Sequence, residues 1–231
     1  MCAVTPDTRG TRIQTVGTPG GDARITWYAA EDPRLILALG HGAGGGIEAR
    51  DLRALADALP PLGFTVALVE QPWRVAGKKL APAPKTLDTA WRAVWPALAG
   101  AGPPVVAGGR SAGARVACRT AAELGAHAVL ALSFPLHPPG RPEKSRAAEL
   151  LGSGVPTLVV QGGNDPFGKP AEFPDPHGGD AAATSGGGAY ELCEVPGADH
   201  GFAVARTAAV PQEQALAIIT GGVARWAAEF A

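Results

Sequence analysis

The sequence is short of charge. Charged residues make up 18% of the 231 positions, below the usual quarter, and 20 Lys+Arg against 21 Asp+Glu leave a net charge of −1. That balance supplies no field for gripping nucleic acid or an anionic membrane, so neither is expected as a partner. Cysteine is scarce as well: Cys2, Cys118 and Cys193 are odd in number and widely spaced, which argues against a disulfide framework. No Cys/His cluster has zinc-ligand spacing, and neither a metal nor an organic cofactor is expected. Long apolar runs are missing. The longest uncharged stretches, Ala93–Gly109 and Leu124–Gly140, contain prolines and fall short of the roughly 18 residues a membrane helix needs. Met1–Asp7 lacks a basic flank followed by an apolar core, so the reading is a cytoplasmic protein.

Glycine (32) and proline (22) are plentiful, and they mostly punctuate short apolar segments. Strand-like runs are Thr11–Val16 paired with Arg24–Ala29, then Arg34–Leu39, Phe64–Val69, Pro103–Ala107, Ala128–Phe134, Val155–Gln161 and Tyr190–Val195. Asp51–Leu59, Thr86–Leu98, Ser111–Leu124 and Pro211–Phe230 carry helical periodicity. Strands alternating with helices imply a mostly parallel sheet covered on both faces, an α/β fold. The length suits one domain, 1–231, and no insertion is long enough for a cap domain. Gly178–Ala189 is the one low-complexity piece and reads as a mobile surface loop.

The chemistry-bearing residues fall at strand ends. Gly109–Arg110–Ser111–Ala112–Gly113 fits G-x-S-x-G between a strand and a helix. A nucleophile on so tight a turn has a strained backbone, and side chains two positions to either side would collide with the neighbouring helix and strand. Small residues at 109 and 113 permit the turn, and Ser111 then stands above the sheet. His41–Gly46 (HGAGGG) follows the strand RLILALG and brings backbone N–H groups close to a ligand. With the residue after the serine it would form an oxyanion hole from the Ala43 and Ala112 amides. Spacing argues against a phosphate loop, because no Gly-Lys-Ser/Thr follows. His41 itself is read as structural.

A serine hydroxyl needs a base, and the base needs an acid that orients it. Among five histidines His200 lies in the loop after the last strand. Asp165 follows the buried run VPTLVVQ and is preferred as the acid over Asp199, since adjacent loop residues seldom point so that one orients the other's ring. Trp73, after FTVALVE, and His137, in a proline-rich loop, are candidate substrate contacts; simple packing and backbone bonding stand beside those readings. Arg110 either faces the site or covers the helix. Arg74, Lys78, Lys79 and Lys85 form a basic stretch read as a solvated loop, and Cys118 is read as a small buried residue.

The order Ser111, Asp165, His200 resembles that of the α/β-hydrolases. The resemblance runs from about Leu35 to Phe202. It is closest to the hydrolase-like family shared by small bacterial proteins, testis-expressed animal proteins and a subunit of the nonspecific-lethal chromatin complex. Dienelactone hydrolases are more distantly similar and carry cysteine where this chain has Ser111. Trp91–Val94, the proline-rich segment Phe134–Lys144 and Gln161–Gly168, with its DPFG tetrapeptide, are further carriers. The resemblance implies an eight-stranded, mainly parallel sheet and a Ser111–Asp165–His200 triad. Two departures are the pair Ala112 and Ala114, where the family often has a longer side chain and a glycine respectively, and the stretch Pro174–Gly188, which is longer and looser than the family pattern. The expectation is a serine hydrolase, monomeric or homodimeric, cleaving a small-molecule ester, thioester or related acyl bond. The alternatives are an interaction protein that keeps the fold without activity, and an acyltransferase using the same triad.

Overall fold

Eight strands build one sheet: β1 (Thr11–Thr18), β2 (Gly21–Tyr28), β3 (Leu35–Gly40), β4 (Phe64–Glu70), β5 (Val105–Arg110), β6 (Ala128–Leu132), β7 (Thr157–Gly162) and β8 (Tyr190–Val195). The order across the sheet is β1-β2-β4-β3-β5-β6-β7-β8. β1 pairs antiparallel with β2, as does β2 with β4, and every other pairing is parallel. The source is a computed structural model that describes residues 11–175 and 190–231. Cys2, His177 and the glycine-rich stretch Gly178–Ala189 lie outside the described residues.

β3 through β7 are buried almost throughout, as near-continuous Val/Leu/Ala runs must be when helices cover both faces. On one face α1 (Arg50–Ala58) and α6 (Gln212–Ala227) contribute Leu52, Leu55, Ile219 and Trp226 to a core with Leu37, Leu39 and Leu130. On the other, α3 (Pro84–Ala99), α4 (Ala112–Leu124) and α5 (Ala147–Leu151) bring Trp91, Val94, Val116 and Leu150 against Ile36, Ala107 and Val129. The short α2 (Pro72–Val75) follows β4. The longest link between consecutive strands, 71–104, is taken up largely by α2 and α3.

Boundary differences have local causes. α3 starts at Pro84 rather than Thr86, because proline suits the first turn, where its missing N–H loses nothing. β5 begins after Pro103 and Pro104, although the Pro104 carbonyl still accepts the Ile36 N–H at 2.9 Å. β6 stops at Leu132 instead of running to Phe134, since Ser133 turns to a φ of 45°.

β3 feeds β4 on one side of it, and the chain then crosses β3 to place β5 on its other side. Loops leaving the carboxyl ends of β3 and β5 therefore diverge, which opens a crevice where α/β sheets bind ligands. Gly40 pairs in register with Gly109, and α4 rises directly behind them. A Cβ on Gly113 would lie 2.5 Å from the Gly40 carbonyl oxygen, and one on Gly109 would lie 2.5 Å from the same atom. The glycines of G-x-S-x-G thus answer to backbone, which has nowhere to retreat. Gly113→Ala is expected to destabilise the protein by about 1–3 kcal/mol, as overpacking does. Urea denaturation reads this as a lower midpoint at constant slope.

Candidate active site

The turn between β5 and α4 holds Ser111 at φ 53° and ψ −108°, a conformation that costs a non-glycine residue on the order of 1–3 kcal/mol. It persists because both neighbours grip it: the Ser111 N–H donates to Leu132 O at 2.9 Å, and its carbonyl accepts the Arg115 N–H at 3.2 Å. The side chain caps nothing in α4. Instead Ser111 Oγ lies 2.9 Å from His200 Nε2, and His200 Nδ1 lies 2.7 Å from Asp165 Oδ2. A carboxylate only accepts, so Nδ1 carries the proton and Nε2 is left to accept from the serine hydroxyl. Residues 111, 165 and 200 therefore converge in one hydrogen-bonded series.

Asp165 is completely buried. Its Oδ1 accepts the Phe167 N–H at 2.8 Å, and its Oδ2 accepts from Gln161 Nε2 at 2.8 Å as well as from the histidine. Gln161 is itself fixed through a second bond to the Gly168 carbonyl. The Phe167 ring lies against the imidazole, 4.2 Å between centroids, and limits its rotation. Asp199 does something else: its Oδ1 accepts the N–H groups of Gly201 and Ala203, 2.7 and 2.8 Å away, and shapes the loop that carries His200.

The glycine-rich loop after β3 approaches the same turn. A Cβ on Gly42 would lie 3.4 Å from Ser111 Cβ. Ala43 and Ala112 line one pocket, and among the described residues neither N–H has a protein acceptor. His41 holds the loop in place. Its Nδ1 donates to Gly42 O at 2.8 Å, and its Nε2 accepts the Gln71 N–H at 3.1 Å. Burial lowers its pKa, in keeping with a ring that must stay neutral to accept.

That pocket encloses about 290 Å³ of empty space, mouth included, and its apolar wall is Trp73, Ala81, Leu87, Trp91 and Val116. Trp73 is thus at the pocket, tilted against the His41 ring at 5.5 Å. His137 is placed elsewhere. It is not among the lining residues, and its ring nitrogens meet the Pro138 carbonyl at 2.9 Å and Glu172 at 3.3 Å. Its partners are one neighbouring backbone carbonyl and one carboxylate distant in sequence, which the sequence pattern left open.

Several site residues carried no readable role in the sequence: Gln161 and Phe167, which fix Asp165 and His200, and Arg110, whose guanidinium reaches the His200 carbonyl. The only signal for the first two was the Gln161–Gly168 segment within the family resemblance. Cys118 is buried in α4, and burial pushes its thiol up to about 12, which leaves no thiolate to act as a nucleophile. Among the described residues no group of His, Cys, Asp and Glu is placed to hold a metal ion, and no helix is long and apolar enough to cross a membrane.

Comparison with solved structures places the fold among known ones. An α/β serine hydrolase without lid from Xanthomonas campestris superposes with a TM-score of 0.68 at 20% identity, covering 96% of this chain and 97% of that one. A dienelactone hydrolase from Anabaena variabilis gives 0.69 at 18% identity, with 99% and 98% covered. Est1E from Butyrivibrio proteoclasticus gives 0.63 at 15%, again with 99% and 98% covered. No curated protein sequence matches significantly. Residues 31–228 match the family described as alpha/beta hydrolase domain. On a match of that extent, over a sheet of eight mostly parallel strands, the chain belongs to the α/β-hydrolase family.

Proposed function

We propose that the protein is a serine hydrolase that cleaves a small ester, thioester or related acyl bond. The observation that carries the reading is the Asp165–His200–Ser111 series ending on a strained, half-buried serine. Ser111 Oγ attacks the carbonyl while His200 Nε2 takes its proton, and the carbonyl oxygen becomes an oxyanion facing the Ala43 and Ala112 amides. Collapse of the tetrahedral intermediate expels the leaving group, which receives the proton from His200. Water then attacks the acyl-enzyme by the same route, with His200 again as base, and releases the acid and Ser111. Asp165 keeps the proton on Nδ1 and stabilises the imidazolium of each step. Each oxyanion amide contributes on the order of 3–4 kcal/mol in comparable sites.

Ser111→Ala is expected to abolish labelling by a fluorophosphonate probe and to cut turnover by roughly 10⁴–10⁶-fold. A wild type that is folded yet inert to the probe would instead favour an interaction protein that keeps the fold.

Pocket size narrows the substrate. The pocket is tight: its interior leaves about 10 Å³, room for roughly one water, and Trp73 and Trp91 close its wall. A pocket that admitted the whole acyl chain would gain about 0.8 kcal/mol, roughly fourfold in kcat/KM, per methylene. Across p-nitrophenyl esters from acetate to laurate, kcat/KM is expected to rise over the first few carbons and then fall. A continuous rise would refute the short-chain reading.

A further inference from the structure

Arg110 is the last residue of β5, one position before Ser111, and its side chain is 14% exposed. Its Nε lies 3.3 Å from Asp51 Oδ2 in the first turn of α1, and its Nη2 donates to the backbone carbonyl of His200. A Cβ on Gly42 would lie 3.5 Å from Nη1, and one on Gly201 would lie 3.7 Å from Nη2. The guanidinium therefore fills the space between the loop that carries Ala43 and the loop that carries His200. Other bonds of the His200 loop stay on its own side: Asp199 to Gly201 and Ala203, Gln212 to Phe202, and Asn164 to Gly197. Among the described residues, the arginine is what ties the His200 backbone to the nucleophile strand.

Asp51 is the arginine's ionic partner, met at 3.3 Å without a hydrogen bond. The residue is completely buried, and Arg110 is its only ion-pair partner among the described residues. Burial raises the pKa of its carboxyl, and the guanidinium opposes that rise. Placing a charged pair here is costly, and burying apolar residues of similar size would serve stability at least as well. The geometry thus calls for a use beyond stability.

We infer that Arg110, braced by Asp51, is a positioning residue that sets His200 in line with Ser111. It touches no reacting atom and works through the His200 main chain. The inference rests on the hydrolase reading for its kinetic consequence alone.

Two variants test it. Arg110→Lys keeps a cation opposite Asp51 but cannot span Asp51 and His200 O together, because the forked geometry is lost. The double variant Asp51→Leu/Arg110→Met removes both charges, so no lone carboxylate is left buried. Both are expected to fold, with kcat on a short ester reduced about 10–100-fold and KM little changed, the scale of effect when a catalytic group is displaced slightly. The His200 Nδ1–H proton resonance is expected to be sharp in the wild type and to broaden through exchange with water in both variants. A folded double variant with wild-type kcat would overturn the inference, and so would failure of both variants to fold, which would make the pair structural. Should the wild type show neither turnover nor probe labelling, the hydrolase reading falls by itself. The proton resonance then decides alone: its loss in the folded double variant supports the positioning role, and its persistence overturns it.

Discussion

The site depends on three backbones meeting at Gly40. The carboxyl ends of β3 and β5 lie in register there, and the first turn of α4 presses against the same carbonyl through Gly113. This contact determines where the chain can turn after β5, and the turn forces Ser111 into a conformation that side chains avoid. The same closeness brings Gly42 against Ser111 Cβ and sets Ala43 and Ala112 in the wall of one pocket. Nucleophile turn and glycine-rich loop are thus one steric arrangement. A methyl group at 113 disturbs both, because what it meets is main chain.

Much of this was legible because the constraint is local. Gly109, Ser111 and Gly113 are spaced along the chain as the turn requires, and the apolar runs before them have the period of buried strands. Tyr190–Val195 was readable to its ends for the same reason. The carboxylate that meets His200 was legible by elimination. Asp165 sits just past β7, whereas Asp199, next to the histidine, is bound to its own loop through the Gly201 and Ala203 amides. What stayed hidden needed partners distant in sequence. Nothing in the chain near Arg110 announces Asp51, because the two meet only when α1 packs beside the carboxyl end of β5. Phe167 stacks on a ring from another loop, and His137 turns to Glu172 rather than to the pocket. Periodicity reports which face a side chain takes, and it is silent about which loop will face that side chain.

Part of the polar burial lies at the carboxyl ends of the strands. Asp51, Gln71, Gln161 and Asp165 are buried there, whereas Thr65, Asp88, Thr120 and Thr157 are buried elsewhere in the fold. Burying such groups costs stability unless each finds a partner, so their placement is informative. Asp165 has three donors. Asp51 has a guanidinium, which in turn engages the His200 loop.

His200 is therefore held from two sides by two fully buried carboxylates. Asp165 fixes the ring directly, and Asp51 fixes the main chain through Arg110. These restraints differ in kind. A bond to Nδ1 sets the tautomer and the ring's rotation about its side-chain axis but leaves the loop free to carry the whole residue away from Ser111. A bond to the carbonyl anchors the loop but leaves the ring free to turn. Only together do they define the 2.9 Å separation between Nε2 and Oγ. Proton transfer depends on that distance before it depends on any acidity, because the base must first be within reach of the proton it takes. Holding one histidine through both its ring and its backbone is a reason to place a second carboxylate where no solvent reaches it.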